Sequence, residues 1–195
     1  IISGSNKGKK LLMPKDKTTR PLKDMAKESI FNILTHANYI NFHLKDSKIL
    51  DLFSGVGSFG LECISRGSQF VFFLENYPPV LKILKSNISN LKYEKKSKVI
   101  EIDAFKMNRN IFEIGQKFQL IFCDPPFKEK KVELLLENII EMNILENNGI
   151  ILIHKKKGDL ISFSKKFKVI DTKNYGLSTF IFGRKSNWVF FLFLF

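Results

Sequence analysis

Short apolar runs recur along the chain, separated by segments in which apolar residues follow a helical spacing. The runs are nearly continuous, as in strands that are covered on both faces of a sheet. They predict strands at residues 48–53, 69–74, 98–102, 118–123 and 149–154. The intervening segments predict helices at residues 61–66, from 78 to about 91, around 108–114 and at 130–142. Gly67 is the expected stop of the first of these helices.

The two ends of the chain follow different patterns. Residues 1–13 hold two short apolar pieces around a Gly/Asn/Lys turn, which predicts a small hairpin. Residues 14–20 form a polar basic loop, and Pro21 suits the first turn of a helix that ends at about His36. We expect this helix to pack at the edge of the sheet or to cover a ligand site. Residues 166–171 and 177–182 predict a terminal antiparallel pair, joined through residues 174–176.

Strands that alternate with helices predict an open α/β sheet with helices on both faces. We expect one domain over residues 1–185, with a basic N-terminal extension at 1–37 and the core at 48–185. Residues 186–195 form an apolar tail, which is too short to span a bilayer and suggests no function.

The charge of the chain favours a polyanionic partner. Its 32 Lys and Arg residues against 19 Asp and Glu residues give a net charge of +13. Neutralising phosphates with such a surface releases counterions and favours binding to nucleic acid. An overall bias toward Lys, Asn, Ile and Phe would also raise the charge. The distribution is more informative, because residues 1–31 hold eight basic and three acidic side chains and form a candidate RNA or DNA contact surface.

Cysteine usage and hydropathy predict the cellular compartment of the protein and argue against a membrane span. The two cysteines, Cys63 and Cys123, form no C-x-x-C pair, so we expect no structural zinc, no disulfide framework and a reducing cytoplasm. Residues 3–10 are polar and basic, unlike a signal peptide, and no apolar run is long enough to cross a membrane.

A glycine-rich turn follows the first predicted strand. Gly55, Gly57 and Gly60 stand in a G-x-G-x-x-G arrangement, which lets a ligand approach the backbone closely. This pattern alone also fits an ordinary strand-to-helix turn. Asp51 within the strand and Glu75 after the next strand favour a nucleotide site, with Glu75 accepting hydrogen bonds from both ribose hydroxyls of an adenosine. A nicotinamide enzyme and an S-adenosylmethionine (SAM) enzyme fit these features equally.

The D-P-P-F sequence at 124–127 directly follows another predicted strand. Its two prolines fix the backbone and lack N–H donors, so their carbonyls are free to accept hydrogen bonds. The Asp124 carboxylate adds an acceptor and the Phe127 ring a flat apolar face. We interpret the motif as a holder for a planar group that carries an –NH2, in preference to a turn that only caps a strand.

D-L-F-S-G-V-G-S-F-G at 51–60 with D-P-P-F at 124–127 resembles the SAM-dependent amino-group methyltransferases. The N-terminal block narrows this to a resemblance to the RsmD family, which methylates guanine N2 in bacterial 16S ribosomal RNA. It lies in I-S-G at 2–4, K-G-K-K-L at 7–11, R-P at 20–21 and K-E-S-I-F-N-I-L at 27–34. The resemblance covers about residues 1–185 and implies a Rossmann-like class I methyltransferase sheet with a C-terminal antiparallel hairpin and a small N-terminal β-hairpin and helix.

The resemblance also assigns expected roles to residues. The methionine end of SAM would be lined by Asp51, Phe53, Ser54, Gly55 and Gly57. Glu75 would take the ribose, Asp103 and Ala104 would lie by the adenine, and Asp124, Pro125, Pro126 and Phe127 would receive the target base. RNA would be met by Lys7, Lys9, Lys10, Arg20 and Lys23, and Arg20 with the basic N-terminus would help to close the SAM pocket. The basic run that begins at His154 departs from the acidic residues of some relatives.

The implied reaction is direct methyl transfer without a metal. Asp124 and the Pro125 carbonyl would hold the guanine N2 amine so that its lone pair points to the methyl group, and Asp124 would accept the proton. A base in paired RNA must be flipped to reach the pocket. The expected partner is 16S ribosomal RNA in an assembling or assembled small subunit, met by a monomer.

Four alternatives remain open. An adenine-N6 DNA methyltransferase uses a similar pocket but usually has a separate target-recognition region. A release-factor glutamine methyltransferase would be expected to have Asn before the two prolines. A nicotinamide oxidoreductase explains the glycines and Glu75 but gives no role to Asp51 or D-P-P-F. A non-catalytic RNA-binding module explains only the charge.

Overall fold

The computed structural model describes residues 1–14, 24–127, 129, 131–159 and 161–186. The helices in these ranges are α1 (Asp24–His36), α2 (Ser58–Ser65), α3 (Pro78–Asn90) and α4 (Val132–Glu141), with short 3-10 turns at Glu94–Lys96, Ala104–Lys106 and Arg109–Ile111. The strands are β1 (Lys48–Leu52), β2 (Phe70–Leu74), β3 (Ser97–Ile100), β4 (Phe118–Cys123), β5 (Leu145–Lys156), β6 (Phe167–Tyr175) and β7 (Ser178–Lys185).

The strands form one seven-stranded sheet in the order β3-β2-β1-β4-β5-β7-β6. The pairs β1–β2, β2–β3, β1–β4 and β4–β5 are parallel, whereas β7 runs antiparallel to both β5 and β6. The chain moves outward from β1 to β3 and then crosses to β4 on the other side of β1. In open α/β sheets, ligands bind beyond the carboxyl ends of the strands at such a reversal. The predicted α/β sheet with a terminal antiparallel hairpin is confirmed.

Alternate residues of the parallel strands point to opposite faces, and both faces are covered. Ile49 lies in one apolar cluster with residues of α1, α2 and α3, and Leu50 lies in a second cluster with residues of α4. The Phe31 ring of α1 stacks on Phe59 of α2 at 5.2 Å, and Phe59 stacks on Phe122 of β4 at 4.0 Å. Helix α1 therefore packs on a face of the sheet, not at its edge as one reading of the sequence had it.

Several element boundaries differ from the prediction. Strand β5 begins four residues before residue 149, because a shift in its register with β4 accommodates polar residues at its start. Strand β6 continues through Tyr175, and the turn that joins it to β7 is at residues 176–177. It is one of the two edge strands of the sheet, so its polar positions give no apolar run. The predicted helix around residues 108–114 is a single 3-10 turn.

The end of α2 agrees with the prediction. The N–H of Gly67 donates to the Ile64 carbonyl and that of Ser68 to the Cys63 carbonyl, both at 3.0 Å. This is the double hydrogen bond of a Schellman motif, with Gly67 at the position that requires a positive φ, here 104°. Gly67 as the helix stop is therefore confirmed.

The N-terminal segment, residues 1–14, contains no strand and is docked on α2 and α3, so the predicted hairpin is wrong as a pair of strands. The chain does turn back on itself, since the Gly8 N–H donates to the Ile1 carbonyl at 2.9 Å. The fully buried Glu62 carboxylate accepts the N–H groups of Ile2 at 2.8 Å and Ser3 at 2.9 Å. Further along, Leu12 and the Asn87 side chain exchange two hydrogen bonds. Buried polar groups thus hold this segment in place.

The predicted helix start at Pro21 and the apolar tail fall on residues 15–23 and 187–195, outside the described residues. The division into one domain at 1–185 and a tail therefore stays a prediction. None of the helices in the described ranges is long and apolar enough to cross a membrane.

Candidate active site

The candidate site lies at the carboxyl edge of the parallel strands. Leu52 of β1 pairs with Leu74 of β2 and with Cys123 of β4. The residues that follow these three positions therefore leave the sheet at the same level. They are Phe53 with the glycine turn, Glu75 and Asp124, which sequence reasoning had assigned to one site. The structure brings them to one edge because parallel strands end at the same side of a sheet.

The glycine turn is built from left-handed backbone and is tied to β2. Phe53, Gly55 and Gly57 have φ angles of 59°, 54° and 85°. The Ser54 hydroxyl donates to the Leu74 carbonyl at 2.9 Å. A Cβ on Gly57 would lie 2.6 Å from Cδ1 of Leu84, whereas a Cβ on Gly55 would meet nothing within 4 Å. Gly57 therefore permits close packing on α3, and Gly55 leaves its outer side open to a ligand.

Glu75 joins the glycine turn to the loop after β2. Its Oε2 accepts the Gly55 N–H at 2.8 Å, and its Oε1 accepts the N–H groups of Asn76 and Tyr77, both at 2.9 Å. A carboxylate offers about four acceptor positions. The main chain uses three of them, so one remains for a hydroxyl of a ligand.

Asp51 is a buried carboxylate at the centre of the site, only 1% exposed. Its Oδ2 accepts the Gly60 N–H at 3.0 Å, while its Oδ1 is buried without a partner among the described residues. Burial raises the pKa of Asp51 well above its usual value; the Gly60 hydrogen bond opposes this rise, and the negative charges of Asp124 and Glu75 add to it. A cationic ligand group would stabilise the charged form of Asp51, because it would provide the missing partner for Oδ1.

We expect Asp51→Asn to raise the melting temperature at neutral pH and to have less effect near pH 4. The folded-state pKa of Asp51 lies above its unfolded value of 3.8, so its contribution to stability is present below pH 3.8 and is lost as the pH rises toward the folded-state pKa. The loss is about 1.4 kcal/mol for each pH unit in that interval. Thermal unfolding from pH 4 to pH 8 measures the difference. A difference between variant and wild type that does not grow with pH would contradict this expectation.

Asp103 and Ala104 follow β3 and lie near the aromatic wall of the site. The Asp103 Oδ1 accepts the Phe105 N–H at 3.0 Å and so caps the 3-10 turn that contains Ala104. The Phe105 ring lies 5.3 Å from that of Phe53, between ring centroids. An acid cap beside two aromatic rings suits a flat heterocycle, and the adenine contact expected of Asp103 and Ala104 stays a prediction.

The D-P-P-F turn is held by β1 and by the segment that follows the turn. The Asp124 N–H donates to the Leu52 carbonyl at 3.4 Å, and the Pro126 carbonyl accepts the Glu129 N–H at 2.8 Å. The Pro125 carbonyl has no partner within the described ranges, so this carbonyl is the one available to a ligand amine. Pro125 is buried, Pro126 is exposed and Phe127 is half-buried.

His154 of β5 is a site residue that sequence reasoning missed. Its Nδ1 lies 2.7 Å from the Oδ1 of Asp124, and its Nε2 lies 2.8 Å from the hydroxyl of Ser178 in β7. The imidazole stacks on the Phe180 ring at 4.4 Å, and the Phe127 ring meets it edge-on at 5.5 Å. The only signal in the sequence was the departure of this position from the acidic residues of some relatives.

Three of the predicted RNA-contacting lysines lie on the N-terminal segment, which runs from the far end of α2 back to the glycine turn, where Asn87 hydrogen-bonds both Leu12 and the Val56 carbonyl. Their contact with RNA stays a prediction. Lys7, Lys9 and Lys10 are exposed, but their segment is fixed by the Ser5 N–H, which donates to the carbonyl of Ser65 at 2.8 Å. Ser65 ends α2, whose other end adjoins the glycine turn about 12 Å away. Arg20 and Lys23 lie outside the described residues. Further exposed lysines, at residues 156–157, follow His154 and the buried Lys155 at the end of β5.

A family model described as "Conserved hypothetical protein 95", the model of the RsmD family, matches residues 1–184. The chain belongs to the RsmD family. The family assignment from the sequence motifs is therefore confirmed.

Two relatives agree with this assignment, and a solved structure has the same fold. "Putative rRNA methyltransferase YlbH" of Bacillus subtilis is 34% identical over 91% of this chain and 94% of that protein. "Ribosomal RNA small subunit methyltransferase D" of Haemophilus influenzae, an RsmD-family protein by name, is 30% identical over 92% of this chain and 90% of that protein. A solved structure described as "Putative methyltransferase yhhF from Escherichia coli" superimposes with a TM-score of 0.79 at 24% identity, covering 95% of this chain and 96% of that one.

Proposed function

We propose that this protein transfers a methyl group from SAM to the exocyclic N2 amine of a guanine in 16S ribosomal RNA. Membership of the RsmD family and the names of the relatives support SAM-dependent methylation of ribosomal RNA. The observation that carries the proposal is the placement of Asp51, Glu75 and Asp124 at one sheet edge. Two carboxylates that suit a nucleotide cofactor thereby lie beside the D-P-P-F turn, which suits an amine.

The residues at this edge fit SAM as the cofactor. The unpartnered Oδ1 of Asp51 suits the positive charge of its methionine end, and the open side of Gly55 allows close approach of that part of the ligand. The remaining acceptor position of Glu75 suits a ribose hydroxyl, and Asp103 with Ala104 suits the adenine. When bound, SAM supplies a methyl group that its sulfonium makes electrophilic.

The D-P-P-F turn suits an amine whose lone pair is delocalised into a ring. Two acceptors, the Asp124 carboxylate and the Pro125 carbonyl, take the two N–H groups of guanine N2 and so turn its lone pair out of conjugation. Phe127 provides a ring for stacking with the base. Asp124 then accepts the proton that the methylated amine must lose, as a general base does. Its carboxylate is 27% exposed and thus accessible to a substrate.

Positive charge near the pocket suits an RNA backbone. The lysines at residues 155–157 follow His154 at the end of β5, and residues 156–157 are exposed. A guanine that enters the pocket must leave its stack, and phosphate contacts beside the pocket would hold the flanking nucleotides. We place the protein on 16S RNA in an assembling or assembled small subunit in the cytoplasm, acting as a monomer. The lysines at 7, 9 and 10 would also contact RNA.

Methyl transfer from radiolabelled SAM tests the function. The substrates are free 16S RNA, small subunits that lack the modification, DNA and a release factor, followed by digestion and identification of the labelled product. We expect label in N2-methylguanine from ribosomal RNA alone. Label in N6-methyladenine of DNA or in protein glutamine would overturn the substrate assignment. Absence of both transfer and SAM binding would overturn the methyltransferase assignment, and crosslinking to NAD would then favour an oxidoreductase.

A further inference from the structure

The His154 imidazole connects Asp124 and Phe127 of the D-P-P-F turn to the C-terminal hairpin. The His154 side chain is 7% exposed, and its Nδ1 is hydrogen-bonded to the Oδ1 of Asp124. Its Nε2 is anchored to Ser178, its ring stacks on Phe180, and the Phe127 ring lies nearly perpendicular to it. Four neighbours from two separate parts of the chain, the D-P-P-F turn and β7, therefore restrict the imidazole to one orientation.

The hydrogen-bonding capacity of the two side chains determines the direction of their contact. An ionised carboxylate only accepts hydrogen bonds, so the Nδ1 of His154 must carry a proton and donate a hydrogen bond to Asp124. In the neutral imidazole, Nε2 is then an acceptor, and the Ser178 hydroxyl donates to it. The Ser178 contact thus favours the tautomer that Asp124 needs, as the partner of one ring nitrogen commonly fixes the state of the other.

The contact with His154 gives the two oxygens of the Asp124 carboxylate different roles. Its Oδ1 is taken by His154, whereas its Oδ2 has no partner among the described residues. A carboxylate that is held at one oxygen cannot rotate freely, so the other oxygen is presented in a fixed direction. An amine that donates to Oδ2 would therefore be aligned by a group that never touches it.

We infer that His154, anchored by Ser178, is a positioning residue that orients Asp124 for the methyl acceptor. This inference rests on the proposed function, because it concerns the use of Asp124 in methyl transfer. It assigns no proton transfer to His154 itself, which keeps its Nδ1 proton throughout. Misplacing a reacting group by about 1 Å can cost on the order of 100-fold in rate. Loss of the His154 donor is therefore expected to lower kcat while leaving the affinity for SAM nearly unchanged.

Two substitutions separate the hydrogen bond from the stacking. His154→Phe retains a ring to stack on Phe180 but has no donor, and we expect it to lower kcat by about 10- to 100-fold. His154→Asn loses the ring but places an N–H close to the position of Nδ1, and we expect kcat within about five-fold of wild type. His43→Phe, at an exposed histidine before β1, serves as the matched control and should leave kcat unchanged.

Steady-state kinetics with ribosomal RNA, SAM binding by calorimetry and the melting temperature are measured for each variant. If His154→Phe is as active as wild type, or if His154→Asn is the more impaired of the two, His154 acts only through packing and the inference is overturned. A wild-type protein that transfers no methyl group would instead refute the proposed function, which distinguishes the two failures.

A double substitution tests whether His154 acts through Asp124. If it does, adding His154→Phe to an Asp124→Asn background should lower the residual single-turnover rate little further, since residues that work as a unit are not additive. A second full loss of about 10- to 100-fold in that background would show an independent role and would overturn the inference.

Discussion

Asp124→Asn is expected to lower kcat for methyl transfer to ribosomal RNA by about 10²- to 10⁴-fold, the usual contribution of a positioned general base. The amide oxygen can still accept the His154 hydrogen bond, so the local structure should persist. The amide nitrogen, however, is a donor and cannot accept an N–H or a proton from the target amine. Single-turnover transfer from radiolabelled SAM measures the rate, and equilibrium dialysis measures SAM binding.

The matched control for this variant is Asp46→Asn. Asp46 is exposed, precedes β1 at the opposite edge of the sheet and has a φ of 61°, which asparagine tolerates well. It should have wild-type activity. Asp124→Asn protein that binds SAM and keeps full activity would show that this carboxylate is not the group that receives the amine.

Gly57→Ala is expected to destabilise the protein by about 2–5 kcal/mol and to abolish SAM binding. A left-handed φ costs an L-residue about 1–2 kcal/mol, and overpacking a core adds about 1–3 kcal/mol. Here the new methyl group would lie 2.6 Å from Leu84 and 3.0 Å from Leu61, both buried. The turn would have to move away from α3, and the ligand would lose its binding surface. Urea unfolding and SAM titration measure the two effects.

Two other glycines separate these causes. Gly8 has a φ of 84°, and a Cβ added there would meet nothing within 4 Å, so Gly8→Ala should incur only the backbone cost and should bind SAM normally. Gly55 has a φ of 54° and is equally open, but it lies in the glycine turn. Gly55→Ala should therefore have a free energy of unfolding close to that of Gly8→Ala, but it should lose affinity for SAM. Equal destabilisation by Gly57→Ala and Gly8→Ala would contradict the packing argument.

The fold and the identity of the site motifs were predictable because both are encoded locally. The buried strands of a parallel sheet are nearly continuous apolar runs, and their carboxyl ends must lie at one edge. A glycine turn, Glu75 and D-P-P-F that each follow such a run are thereby brought together without knowledge of any contact. Strand β6 was harder to delimit, since an edge strand with polar positions carries no such pattern.

The N-terminal segment shows where local patterns fail. Its glycines and short apolar pieces suggest a hairpin, yet buried Glu62 binds its main chain from 60 residues away. Its exposed lysines at 7, 9 and 10 belong to a segment that begins at the far end of α2 and reaches Asn87, beside the glycine turn, at Leu12. The spacing of apolar residues does not reveal this docking, because the docking depends on the Glu62 carboxylate. The spacing predicts only that the helix containing Glu62 is buried.

The sequence by itself thus determined the sheet, the family and the edge at which Asp51, Glu75 and Asp124 meet. Only the tertiary structure decided that His154 holds Asp124 from 30 residues away and is itself held by Ser178. Both contacts depend on strand register: Cys123 of β4 pairs with Ile153 of β5, and His154 pairs with Phe180 of β7. A shift of one residue would turn the imidazole to the other face of the sheet. Register is set by the packing of all the strands together, and for this reason a local sequence pattern could not reveal it.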